Sequence, residues 1–130
     1  LNLYGQDMDE QTTPLECGLG WTVAMEPAER EFIGREALVA QRSRGVGARF
    51  VGLVLEGRGV LRPHQAVSDG NQEGELTSGS YSPTLGRAIG LARVPEGFGE
   101  PAAAQIRGRD IPVRIVQPPF VRQGKARIEL

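Results

Sequence analysis

The feature that most constrains the fold is a series of short apolar segments after residue 47, separated by turns rich in glycine and proline. Residues 49–56, 65–68, 103–107 and 111–116 have the alternating or β-branched composition that is typical of strands. Pro112 has no amide donor, so its strand should lie at an edge or hold this residue outside the hydrogen-bond ladder. The pattern predicts a mainly β fold, with a small antiparallel, Greek-key-like barrel of about six strands.

The stretch from Glu73 to Val94 is the most distinctive part of this region. Leu76 favours extended structure, residues 89–94 are apolar again, and residues 79–86 between them are rich in glycine and hydroxyl side chains. No evident pattern places a general base near these hydroxyl groups. We therefore expect Thr77 to Gly86 to form a rigid turn that is structural rather than catalytic.

The first residues of the chain have a different composition. Residues 6–14 form an acidic segment that ends at a proline, and they predict a loop. Most loops of this kind are solvated, and binding of a cation or a basic partner is the alternative. Residues 19–25 contain β-branched and aromatic side chains and predict a strand.

Residues 33–45 give the clearest helix signal. They contain good helix formers and no proline, and Ile33, Ala37 and Ala40 fall on one face. Gly45 suits the position after the last helical turn. Because glycines then follow closely, we expect a domain boundary here, with residues 1–46 in one unit and 47–130 in another.

Composition and single residues exclude several classes of protein. The net charge of −1 provides no basic field for nucleic acid, and no apolar run reaches the length of a membrane span. Cys17 and His64 are the only residues of their kinds, which disfavours a disulfide, a zinc site or a Cys–His pair. A buried Cys17 and a solvated His64 are the expected roles. The amino end is not a signal peptide, so we expect a cytoplasmic protein, and its first residues suggest a fragment.

Seven sequence blocks, in order along the chain, resemble the aminomethyltransferase family of the glycine cleavage system, the T-proteins. The most specific are LYGQDMDE at residues 3–10 and LTSGSYSPTLG at residues 76–86. The block at residues 76–86 consists of two parts, LTSG and SPTLG, which count separately. The other four blocks are GWTV (20–23), FIGREAL (32–38), VGL (51–53) and PFVR (119–122). The resemblance covers essentially the whole chain and corresponds to the carboxy-terminal third or so of such a protein.

The resemblance implies a one-carbon transferase. The family takes the aminomethyl group carried on the lipoyl arm of the H-protein, transfers its methylene to tetrahydrofolate and releases ammonia. It also implies that residues 1–46 are the strand-plus-helix remnant of an α/β folate-binding core, and that residues 47–130 are the carboxy-terminal barrel. No metal is implied. The catalytic aspartate of the family lies upstream of this chain, so the resemblance assigns no catalytic residue here.

The resemblance also indicates which residues contact the folate. The family's carboxy-terminal tail brings a basic or tyrosyl side chain near the glutamyl end of the cofactor, and Lys125 and Arg127 occupy that part of this sequence. Tyr4 is a third candidate, from the core side. Arg87 and Arg93 are expected on a solvated strand face rather than at an H-protein contact.

Two other functions stay open on the sequence. The first is the barrel of a related folate-linked amine oxidase or demethylase, which would need an upstream flavin-binding domain. The second is a non-catalytic binding module. The absence of a basic stripe with interleaved aromatic residues disfavours RNA as a partner of such a module.

Overall fold

The chain folds mainly into short β-strands, preceded by one α-helix. The computed structural model describes residues 1–130. A single 3₁₀ turn at Gly20–Thr22 comes first, followed by helix α1 at Arg35–Arg44. The strands are β1 (Ala48–Leu55), β2 (Ala66–Ser68), β3 (Glu73–Ser82), β4 (Arg87–Pro95), β5 (Ala102–Ile106), β6 (Arg109–Val116), β7 (Val121–Arg122) and β8 (Lys125–Ala126).

Strands β1 to β6 close into an antiparallel barrel in the order β1-β4-β3-β2-β5-β6. Strands β2, β3 and β4 follow one another in the chain and lie side by side. Strand β1, which precedes them, pairs with the free side of β4, and this order is a Greek-key arrangement. The barrel closes where β6 pairs with β1, from Gly52↔Val116 to Leu55↔Val113. The predicted six-stranded barrel is confirmed. The carbonyl of Pro112 accepts a hydrogen bond from the amide of Glu56, just past the end of the β1–β6 ladder. The amide that Pro112 lacks would face the same way, so its absence interrupts no hydrogen bond of the β1–β6 ladder.

The core lies inside the barrel and is filled by alternating residues of each strand. On β4, Ala88, Gly90, Ala92 and Val94 are buried, whereas the residues between them are partly exposed. The small residues leave room for large aliphatic side chains from β3, since a Cβ on Gly90 would lie 2.7 Å from Leu76 Cδ2. This alternation is the period-2 pattern of a strand with one buried face.

Strand β3 is longer than predicted, and this corrects the expectation of a turn from Thr77 to Gly86. Residues 77–82 continue the strand, and the turn itself is confined to residues 83–86, where the amide of Gly86 donates to Ser82 O at 2.8 Å. Gly79 is a packing residue of the strand, because a Cβ there would overlap the carbonyl oxygen of Leu61. A glycine that permits close approach of two backbones looks the same in sequence as a glycine that makes a turn.

The segment before the helix is also different from the prediction. Residues 19–25 form no strand but contain the 3₁₀ turn at Gly20–Thr22, because no neighbouring strand pairs with them.

The predicted helix is confirmed at Arg35–Arg44, with Gly45 in a positive-φ conformation after it. Its apolar face is open to solvent in this chain: Ile33, Ala37 and Ala40 are exposed, and Gln41 is the buried helical residue. No helix combines the length and apolarity needed to cross a bilayer.

Candidate functional site

Asp7 fastens the amino-terminal segment (residues 1–25) to the barrel. Its side chain is completely buried and its carboxylate accepts hydrogen bonds from the amide of Leu3, at 2.8 Å, and from the hydroxyl of Thr77 on β3. The prediction of a solvated acidic loop is therefore wrong for Asp7, although Asp9 and Glu10 are exposed. A buried carboxylate needs such donors because burial removes its water.

Arg93 on β4 makes a second connection between the same two parts. Its guanidinium donates to Asp7 O at 2.6 Å and to Glu16 O at 3.1 Å. The guanidinium carbon Cζ of Arg93 lies 5.9 Å from the centroid of the Phe50 ring, within the range of a cation–π contact. Arg93 was expected on a solvated face and instead binds two carbonyl groups of the amino-terminal segment.

Cys17 and His64 occupy the places expected for them. Cys17 is buried, and burial raises the pKa of its thiol, so it stays protonated at neutral pH. His64 is exposed in a turn, with its Nδ1 atom 2.7 Å from Glu75 Oε1. No group of three or more histidine, cysteine or carboxylate side chains is arranged to bind a metal ion.

A groove of about 640 Å³ runs along the outside of the barrel, and we call it the aromatic groove. Its floor is the outer face of β1 and β4, including Phe50, Ile89 and Leu91. Trp21 is 84% exposed and Tyr81 is 62% exposed, so both present open ring faces. The remaining lining residues are Leu1, Asn2, Gly18, Leu19, Ser82, Pro83, Thr84, Gln117, Pro118, Pro119, Phe120 and Val121. Its size is that of a small-molecule site.

The carboxy-terminal tail forms the opposite wall of the aromatic groove. Phe120 packs over β1 at Gly52, where a Cβ would lie 2.8 Å from its Cζ atom. Strands β7 and β8 then form a small hairpin that pairs Arg122 with Lys125. The amide of Arg127 donates to Phe120 O at 2.9 Å, so Arg127 lies opposite a residue of the groove wall.

The structure places the three predicted folate contacts at two different locations. Lys125 and Arg127 belong to the tail and are exposed. Tyr4 is also exposed, at 64%, but it does not line the aromatic groove, whereas its neighbour Asn2 does. No contact in the structure tests these assignments, and they stay predictions.

None of the residues that line the groove, including the aromatic residues Trp21, Tyr81 and Phe120, was among the functional residues that the sequence indicated. Trp21 was assigned to a strand and Tyr81 to a turn. Tryptophan is enriched among the residues that carry binding energy, but the exposure of Trp21 becomes visible only in three dimensions. The groove lining contains no Asp, Glu, His, Lys, Arg or Cys side chain, so it can bind a ring system but offers no carboxylate, imidazole, amine or thiol for acid–base chemistry.

The comparisons with known proteins agree with this architecture. Residues 49–122 match the family described as the glycine cleavage T-protein C-terminal barrel domain. Among solved structures, the chain is similar to the glycine cleavage system aminomethyltransferase T from Bartonella henselae, with 29% sequence identity and a TM-score of 0.83. The match covers 95% of this chain and 36% of that one, so this chain spans about a third of that protein's length.

Proposed function

The chain belongs to the family of glycine cleavage T-protein C-terminal barrel domains, and from this premise we propose that it works in a tetrahydrofolate-dependent aminomethyltransferase. In the proposed reaction, the aminomethyl group on the lipoyl arm of the H-protein gives its methylene to tetrahydrofolate, and its nitrogen leaves as ammonia. The similarity to an aminomethyltransferase over 95% of this chain supports the proposal. The lipoylated H-protein is the proposed partner.

The aromatic groove is the observation that carries the folate part of this proposal. Tetrahydrofolate has a pterin ring and an aminobenzoyl ring, followed by a glutamyl tail with carboxylates. The groove offers exposed aromatic faces at Trp21 and Tyr81, and the cationic tail hairpin lies directly beyond Phe120. Flat rings bind aromatic faces by offset or edge-to-face contact, so the residues present suit this substrate.

Arg127 is the better candidate for the glutamyl tail than Lys125. The backbone amide of Arg127 is hydrogen-bonded to Phe120, which lines the groove. Lys125 pairs with Arg122 beside the hairpin turn and is therefore further from the groove. A guanidinium group also binds a carboxylate through two parallel hydrogen bonds, which an ammonium group cannot do. We therefore propose Arg127 as the main tail contact, with Lys125 second and Tyr4 outside the groove.

The proposed role of this chain is to bind and orient the substrate, not to move protons. Since no carboxylate, imidazole, amine or thiol side chain lines the aromatic groove, we propose that the catalytic carboxylate comes from another part of the enzyme. We propose that the isolated chain has no aminomethyltransferase activity. Measurable turnover by residues 1–130 alone would overturn this division of roles.

Substitution at the tail tests the substrate assignment in the complete enzyme. Arg127→Ala should raise the KM for tetrahydrofolate about tenfold, the value of one good charge-assisted contact, and change kcat less than about twofold. Lys125→Ala should have a smaller effect. Arg42→Ala, on the exposed side of α1, is the control and should leave both constants unchanged. An unchanged KM in Arg127→Ala would remove this arginine from the site.

A further inference from the structure

A second cleft, of about 680 Å³, opens where β1 ends and β5 turns into β6. Four arginines line it: Arg58 and Arg62 from the β1–β2 loop, Arg107 from the β5–β6 turn, and Arg109 at the start of β6. It shares no residue with the aromatic groove. We call it the arginine cleft.

The positive charge of the arginine cleft is not neutralised within the chain. No carboxylate lines the cleft, and none of the four guanidinium groups makes a hydrogen bond or an ion pair. The nearby Asp110 follows Arg109 on β6, so its side chain points to the other face of the strand, where it lines a separate cleft with Asp69. Four free guanidinium groups in a chain with a net charge of −1 form a strong local positive field.

The two loops that carry these arginines are held in place by packing and hydrogen bonds. Gly59 lies against the Ile106 side chain, since a Cβ there would be 3.0 Å from Ile106 Cδ1. The amide of Arg62 donates to Gln65 Oε1 at 2.8 Å, and Arg107 and Gly108 have the positive φ angles of a two-residue hairpin turn. The backbone that carries the arginines is therefore in place before any ligand arrives, which limits the entropic cost of binding to the ordering of side chains.

Apolar side chains lie between the arginines. Val60 is 55% exposed, and Ile106 and Ile111 complete the apolar part of the lining. We propose that the arginine cleft binds an acidic protein segment in which an apolar side chain is flanked by carboxylates. Guanidinium groups bind carboxylates in pairs of hydrogen bonds, and the apolar floor takes the side chain between them. The cleft contains no aromatic residue on which a base could stack, so a nucleic acid is the poorer fit.

The proposal is tested with a fluorescein-labelled peptide that carries one leucine flanked by glutamates on both sides. Its binding to the chain is measured by fluorescence anisotropy in about 50 mM salt, where screening is weak. The double variant Arg62→Gln/Arg109→Gln should weaken binding about tenfold or more. The double variant Arg42→Gln/Arg44→Gln on α1 has the same net charge and should change the affinity less than about twofold. Circular dichroism confirms that both variants are folded.

Several results would contradict the proposal. One is an absence of binding by the unmodified chain, and another is equal weakening by the two double variants, which would mean that only net charge matters. A peptide with glutamine in place of glutamate should bind at least about tenfold more weakly, so equal affinity would also overturn it. A single-stranded oligonucleotide of equal charge that bound more tightly than the peptide would assign the cleft to nucleic acid instead.

Discussion

Thr77→Val removes the hydroxyl that joins the amino-terminal segment to the barrel through Asp7 and that also lies 3.2 Å from Leu91 O within the barrel. Valine has nearly the same shape as threonine, so the substitution removes the hydroxyl donor to Asp7 and leaves little cavity. The carboxylate of Asp7 is completely buried and keeps only the amide of Leu3 as a donor. The substitution therefore leaves a buried charged group short of one partner.

The expected cost is about 2 kcal/mol, the typical value for a lost hydrogen bond to a charged group. For a chain of this size, a change of 1 kcal/mol shifts the Tm by roughly 3–5 °C, so Thr77→Val should lower it by roughly 6–10 °C. Thr77→Ser keeps the hydroxyl and loses one methyl group, which should cost only about 1 kcal/mol. In an Asp7→Ala background there is no buried carboxylate to lose its partner, so Thr77→Val should lower the free energy of unfolding by less than about 1 kcal/mol.

Urea unfolding followed by circular dichroism gives the four free energies of this double-mutant cycle. The single tryptophan, Trp21, lies in the amino-terminal segment and reports separately on whether that segment detaches before the barrel unfolds. The reasoning is refuted if the costs of Asp7→Ala and Thr77→Val simply add, since additivity would show that the two side chains do not interact in solution. Equal costs for Thr77→Val and Thr77→Ser would also refute it.

Three further predictions concern packing, the second connection and pH. Gly79→Ala should lower the free energy of unfolding by about 3 kcal/mol or more because its Cβ would collide with Leu61 O, whereas Gly99→Ala, with open space around it, should be tolerated. Arg93→Lys should lower the urea midpoint by the equivalent of about 1–2 kcal/mol, since the single nitrogen of lysine cannot occupy the positions of both Nε and Nη2, which bind the two carbonyls. Backbone amides hold the pKa of Asp69 below its usual value, so the ionised form stabilises the fold above about pH 4, and this contribution is lost as pH falls through the lowered pKa. The Tm difference between the unmodified chain and Asp69→Asn should therefore be constant near neutral pH and narrow at acid pH.

The barrel was predictable from the sequence because its signals are local. Alternation in 49–56 and 111–116 marks a strand with one buried face wherever the strand lies in the chain. Asp69-Gly70 encodes its own turn, and the carboxylate of Asp69 accepts the amides of the two residues that follow Gly70. Helix α1 was found for the same reason, since propensity and the glycine at its end need no distant partner.

The errors occurred where distant segments decide the structure. The sequence around Gly79 is typical of a turn, and only the position of Leu61 shows that this glycine permits a close approach of two backbones within a strand. Asp7 looked solvated because its partner, Thr77, is 70 residues away. The folate contacts inferred from the family resemblance are of a third kind, since no contact within this chain tests them.

The aromatic groove is a property of the joint between the two parts of the chain and not of either part alone. Its open wall contains Leu19 and Trp21 from the amino-terminal segment, and its floor contains Phe50 from the barrel. The guanidinium of Arg93 lies over the ring of Phe50. Arg93 therefore contacts both the groove floor and the backbone carbonyls of the amino-terminal segment. Because Asp7 is held by Thr77 and Arg93 at the same place, loss of either connection should widen the groove before it unfolds the barrel. The buried polar contacts of Asp7 thus set the shape of a site whose lining has no charged side chain.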